Sequence, residues 1–137
     1  MLTFIEFLSQ QWMLVGAWLA LVALLLTHEN RKAGQSVLPQ QVSNLLNTAS
    51  GKVVDIRDSN EFRQGHIIDA INIPERDLEK RLVELNEYKD TPLIVVCKIG
   101  QNAGAVSKQL KAQGFTAVYK LTGGISEWTA ANFPLVK

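Results

Sequence analysis

The apolar residues of the chain follow two different patterns. From Trp12 to Leu26 they run without interruption, WMLVGAWLALVALLL, with no charge and no strong polar group. Beyond residue 35 they recur in short blocks separated by polar turns. A helix needs roughly 20 residues to cross a hydrocarbon core ~30 Å thick. Residues 7–27 supply that length if Ser9, Gln10 and Gln11 lie near one interface. Trp12 suits the interfacial zone, and Trp18 would sit deeper. A cleavable signal peptide is disfavoured, because no Lys or Arg precedes the run and LLLTHEN offers no small-x-small cleavage site. A buried core helix is disfavoured too, since a domain of ~100 residues rarely hides a helix that is apolar all round. The expectation is a transmembrane anchor over about 7–27, followed by a polar linker, HENRKAGQ, at 28–35.

The domain is expected to occupy residues 36–137. Ser36 to Leu46 suggests a short extended entry and then a helix with Pro39 in its first turn. Val53–Ile56 and Ala70–Ile73 have the character of strands, the second ended by Pro74. Residues 75–88, ERDLEKRLVELNEY, predict one amphipathic helix with Leu78, Leu82 and Leu85 at i, i+4 and i+7. Leu93-Ile94-Val95-Val96 is a continuous apolar run, which suits a strand buried on both faces of a parallel sheet. A helix to about Gln113, a strand at Ala117–Tyr119 and a last helix opened by Gly123-Gly124 complete the series. Strands alternating with helices predict an α/β domain: an open, mostly parallel sheet flanked by helices.

Charge places this domain relative to the anchor. Apolar residues make up 47% of the chain, and residues 1–27 hold one charged side chain, Glu6; the other 14 basic and 12 acidic residues lie beyond them. Arg31 and Lys32 follow the apolar run directly. The positive-inside rule then puts the N-terminus outside and the C-terminal domain in the cytoplasm, as a single-pass protein of the cell (inner) membrane. The domain's mixed charge shows no long basic or acidic run, so nucleic acid is not an expected partner. Gly16 and Ala20 form a small-xxx-small pair, a weak dimer signal. A single cysteine, Cys97, excludes an intramolecular disulfide and a Cys-rich zinc site, and a lone thiol fits a reducing compartment. His28 and His66 show no metal-ligand spacing, so no metal is expected.

Cys97 follows the most buried-looking strand directly and precedes a helix. Ligand sites in open α/β sheets form at the carboxyl ends of strands. A loop curling there points backbone N–H groups inward, and the next helix adds its positive end, which together favour anions and a thiolate. Gly100 permits a tight turn, and Lys98 adds a neighbouring charge. An arbitrary lone cysteine at a strand end is a small buried hydrophobe. Here the flanking residues point to a nucleophilic or sulfur-carrying thiol.

Four segments, in order, resemble the rhodanese family. Asp55-Ile56-Arg57-Asp58-Ser59-Asn60-Glu61-Phe62-Arg63-Gln64-Gly65-His66-Ile67 resembles its D-x-R-x-x-x-E-F/Y-x-x-G-H-I signature. Ala70-Ile71-Asn72-Ile73-Pro74 is similar to its A-x-N-I-P continuation, Cys97-Lys98-Ile99-Gly100 to its active-site loop, and Leu121-Thr122-Gly123-Gly124-Ile125-Ser126-Glu127-Trp128 to its L-x-G-G-x-x-x-W ending. The resemblance implies sulfur transfer: Cys97 takes a sulfane sulfur from thiosulfate or a protein persulfide and passes the persulfide to a thiol acceptor. By the same resemblance Lys98, Ile99, Gly100, Gln101 and Asn102 would form the substrate-binding loop, with Asp55, Arg57, Glu61 and His66 expected to support it. No cofactor or metal is implied, and the expected partners are the membrane, a sulfur donor, a thiol acceptor and a membrane protein. Arg57 and Glu61, spaced i,i+4, are placed to pair across one turn; His66 is expected to be a hydrogen-bonded structural residue.

Two departures bear on this. The family's loop often closes as C-x-x-x-x-R, and here that residue is Asn102, which cannot supply a bidentate cationic fork for an oxyanion. The absence of Arg at Asn102 and Ala103 also argues against phosphatase relatives of the fold. Asp69 stands where a Gly is common and is expected to alter only a turn. The alternative to an enzyme is a catalytically weak or inactive rhodanese-like domain acting as a membrane-tethered interaction module.

Overall fold

The computed structural model describes residues 4–32 and 34–137. The chain divides into two compact units, Met1–Arg31 and Lys32–Lys137.

In the first unit, α1 (Phe4–Gln10) and α2 (Trp12–Lys32) meet at a sharp bend, and the angle between them is 84°. The single straight helix expected over 7–27 is therefore not formed. Its polar break lies at Ser9-Gln10-Gln11, where Ser9 Oγ donates to the Glu6 carbonyl at 2.9 Å, a back-bond of the kind that bends helices. Among the described residues no single helix is long and apolar enough to cross a membrane; α1 and residues 12–28 meet that requirement only as a bent pair, by length and composition. The helix also continues through 28–32, where a polar linker was expected. His28-Glu29-Asn30-Arg31-Lys32 contains no glycine or proline to stop it.

The second unit is organised by a five-stranded sheet of β1 (Gln35–Val37), β2 (Lys52–Asp55), β3 (Ile71–Asn72), β4 (Leu93–Val96) and β5 (Val118–Leu121). Its order is β1-β5-β4-β2-β3, and every pairing is parallel. Helices flank it: α3 (Pro39–Thr48), α4 (Ser59–Gln64), α5 (Leu78–Arg81), α6 (Ala103–Ala112) and α7 (Gly124–Ala130). Proline opens α3 at a position where its missing N–H costs nothing. All four residues of β4 are buried, because side-chain alternation sends Leu93 and Val95 to one core and Ile94 and Val96 to the other. The first core contains Leu78, Leu85, Val106 and Leu110. The second contains Val42, Ile125 and Trp128.

Residues 75–88 do not form the single α-helix that their periodicity predicts. A 3₁₀ turn (Glu75–Asp77) leads into α5, and a second 3₁₀ stretch follows at Leu82–Tyr88. With 3.0 residues per turn, positions i, i+3 and i+6 share a face. Leu82, Leu85 and Tyr88 have that spacing, and all three pack on the first core. The tyrosine was the missed member of the stripe. Asp69 adopts φ +61°, a left-handed conformation that glycine takes at no steric cost, so the departure at Asp69 is confined to a turn.

Leu85 has 0% exposure and Val83 68%. Truncating Leu85 to Ala is expected to cost about 2–5 kcal/mol in urea unfolding, and Val83→Ala less than about 0.5 kcal/mol. Equal costs would show that this segment packs on a different face.

Candidate active site

The strand order reverses direction between β2 and β4. From β2 the chain passes through α4 to β3 on one side, whereas from β4 it passes through α6 to β5 on the other. A crevice opens at such a switch point, beyond the carboxyl ends of the strands. The cleft found there has a volume of about 450 Å³. Ile56, Arg57, Asp58 and Glu61 line it from the β2 side, Cys97 to Asn102 (Gly100 excepted) from the β4 side, and Glu75 and Arg76 from beyond β3. Backbone bonds hold these three walls together: Ile56 N–H donates to the Val96 carbonyl at 2.9 Å, Ile73 N–H to Asp55 at 3.0 Å, and Glu75 N–H to Ile56 at 3.2 Å.

Cys97 continues the alternation of Leu93 and Val95, so its side chain joins the same core and is only 5% exposed. Gly100, at φ +89°, turns the loop back on itself. Its N–H donates to Cys97 Sγ at 2.9 Å. From outside, α7 sets the loop's direction. Ile125 N–H donates to the Cys97 carbonyl at 2.9 Å and Ser126 N–H to the Lys98 carbonyl at 3.1 Å, with Ser126 Oγ adding a second bond to Lys98 at 3.1 Å. In a trans peptide the C=O and the following N–H point in opposite directions. The Lys98 and Ile99 amides therefore face away from α7. Gly124 makes this close seat possible, because a Cβ there would collide with the Cys97 carbonyl oxygen and stand 2.8 Å from Lys98 O.

Of the expected supporting residues, Asp55 and Arg57 form a pair. The Asp55 carboxylate accepts the Arg57 backbone N–H at 3.0 Å, Arg57 Nε at 3.0 and 3.1 Å and Arg57 Nη2 at 2.7 Å. Nη2 also donates to the Gly65 carbonyl at 2.8 Å. Both side chains are buried, with 7% and 1% exposure for Arg57 and Asp55. The expected Arg57–Glu61 pairing is thus replaced by Arg57–Asp55: two residues apart at a strand end, the carboxylate sits within reach of both the backbone and the guanidinium. Glu61 instead lines the cleft.

His66 stands outside the cleft lining. Its Nδ1 lies 2.8 Å from the Phe62 carbonyl oxygen, so that nitrogen carries the proton. The ring stacks on Phe62 at 3.8 Å, and the His66 backbone exchanges bonds of 2.9 and 2.8 Å with Val136.

Sequence reasoning gave no role to Asn72, whose amide donates to the carbonyls of Asp55 and Arg57, both at 3.0 Å. It also missed Asp58, Glu75 and Arg76 as cleft residues. The signal for Asn72 was its place in the A-x-N-I-P segment; Arg76 lies two residues beyond the proline that ends it.

The Cys97 loop and the Asp55–Arg57 pair lie within the stretch that a wider comparison matches. The family model for the rhodanese-like domain matches residues 38–131. The chain belongs to the rhodanese-like domain family. It is 32% identical over 136 residues to the YibN protein of Escherichia coli K12, covering 96% of this chain and 95% of that one. It is 38% identical over 92 residues to the thiosulfate sulfurtransferase GlpE of Shewanella oneidensis, covering 67% and 89% respectively. The solved structure of a rhodanese-related protein from Thermoplasma volcanium matches with a TM-score of 0.64 and 25% identity, over 74% of this chain and 97% of that one. The rhodanese-like fold, with its parallel sheet between helices, thus carries Cys97 at its switch point.

Removing the charge of Asp55 leaves the guanidinium buried without its anion. Asp55→Asn is expected to destabilise the rhodanese-like domain by about 3–5 kcal/mol in urea unfolding. A loss below about 1 kcal/mol would mean that Arg57 has found another partner.

Proposed function

We propose that the protein is a membrane-anchored sulfurtransferase that carries sulfane sulfur as a Cys97 persulfide. The observation that carries this reading is the 2.9 Å hydrogen bond from Gly100 N–H to Cys97 Sγ, in a loop whose next amides face away from α7. A donor N–H on sulfur stabilises an anionic sulfur, and oriented backbone amides do so without reorganising. With thiosulfate as donor, the Cys97 thiolate attacks the outer sulfur. A Cys97–sulfur bond forms, the donor's S–S bond breaks, and its electron pair departs with sulfite. The persulfide anion then gives its terminal sulfur to an acceptor thiolate, which becomes the persulfide as Cys97 returns to thiolate. The name of the Shewanella oneidensis relative, a thiosulfate sulfurtransferase, supports the same chemistry. A protein persulfide is the alternative donor, favoured by Asn102, because it needs no oxyanion fork. The runner-up role, an interaction module without transfer, rests on the same residue.

Incubation with thiosulfate is expected to add one sulfur to the wild-type chain by intact mass and none to Cys97→Ser. If thiosulfate and a persulfide donor both leave the thiol unmodified, the interaction module becomes the better reading.

The anchor is the N-terminal unit, whose apolar side chains are exposed: Trp12, Leu14, Trp18, Leu19, Leu21, Leu24, Leu25 and Leu26 are each more than half exposed. A lipid surface is the partner that such side chains fit. Arg31 and Lys32 support a cytoplasmic rhodanese-like domain with the N-terminus outside, where a sulfur donor, an acceptor thiol and a membrane-protein partner have access to it. A thiol reagent that cannot cross membranes should leave Cys97 unlabelled in intact cells and label it after lysis. Labelling in intact cells would overturn this orientation.

A further inference from the structure

We infer that Arg76 is the residue that recognises the oxyanion end of an anionic sulfur donor, and that Asp58 competes with the donor for it. This rests on the sulfurtransferase reading and adds a specificity determinant to it. The loop position that would supply an arginine holds Asn102, which caps the start of α6 through its backbone with no side-chain cap bond. Arg57, the second arginine of the cleft, has its charge offset by the buried Asp55 and its Nε and Nη2 tied to that carboxylate and to the Gly65 carbonyl. That leaves Lys98 and Arg76 as the cations lining the cleft with charge to offer, against the carboxylates of Asp58, Glu61 and Glu75. Of the two, only Arg76 presents a planar fork that matches a tetrahedral oxyanion.

Its backbone is fixed while its side chain is not. The neighbouring Glu75 N–H is tied to the Ile56 carbonyl, and Asp77 N–H donates to Pro74 at 2.8 Å, so the turn that carries Arg76 is held against β2. Among the described residues the side chain makes one ion pair, Nη1 to Asp58 Oδ1 at 3.2 Å, with 70% and 64% exposure on the two sides. An ion pair so exposed holds weakly. A dianion entering the cleft offers the guanidinium a stronger partner at little cost. Neutralising Asp58 should therefore release Arg76 for the donor.

The test follows the initial rate of Cys97 persulfide formation, read by intact mass in the full chain, across a thiosulfate series. For Arg76→Ala the half-saturating concentration should rise about tenfold, the loss expected for one charge-assisted contact, with the same final loading. Arg76→Lys should fall between that variant and wild type. Asp58→Asn should lower the half-saturating concentration about threefold and do nothing in the Arg76→Ala background. Loading from the persulfide of 2-mercaptoethanol, which carries no oxyanion, should be the same in all variants. If wild type loads from thiosulfate and Arg76→Ala follows the same curve, Arg76 has no such role. An equal effect of Asp58→Asn with and without Arg76 would overturn the competition. A wild type that loads from neither donor would instead sink the sulfurtransferase reading, and the role of Arg76 with it.

Discussion

The first turn of α7 lies directly against the backbone of Cys97 and Lys98, and the shape of the Cys97 loop depends on that contact. Two amides and a hydroxyl of α7 take the loop's outward carbonyls. The same peptide planes then turn their N–H groups the other way. Only glycine fits at 124, where φ is +60° and any side chain would meet the loop's carbonyl oxygens. A helix start thus dictates the conformation of a loop more than 20 residues earlier in the chain.

The opposite wall of the cleft is held by charge. Asp55 ends β2 with 0% exposure, and a lone carboxylate in that position would be costly. Arg57 answers it with three side-chain contacts and a backbone N–H, and Asn72 closes the adjacent carbonyls. Because its Nε and Nη2 are bonded and its charge is met by the buried Asp55, Arg57 is a strut of the cleft rather than a free cation. The recognition of an anion then falls to groups with looser attachments.

Much of this was legible in the residues. The Leu93–Val96 run announced a strand buried on both faces, and the loop after it was visible from Gly100 and the helix that follows. Pro39 and Gly124 marked helix starts. Other features were hidden for physical reasons. Leu78, Leu82 and Leu85 fit an α-helical face, and the sequence does not weigh them against the 3₁₀ face of Leu82, Leu85 and Tyr88, because packing on the core decides between them. The i,i+4 spacing of Arg57 and Glu61 suggested a pair, but burial gave the guanidinium to Asp55, which shares its strand end. Arg76 is separated from Cys97 by 21 positions, and only the strand order β4-β2-β3 brings them to one cleft. The break at Gln11 was visible as polar residues within an apolar stretch, yet nothing in composition fixes an angle.

The parallel sheet has one more consequence, which concerns reach. All five strands run the same way, so the chain enters β1 at one rim of the sheet and Cys97 stands at the other. At about 3.3 Å per residue, four-residue strands separate the rims by roughly 13 Å. The chain upstream of Gln35 therefore joins the sheet at the rim that does not carry Cys97.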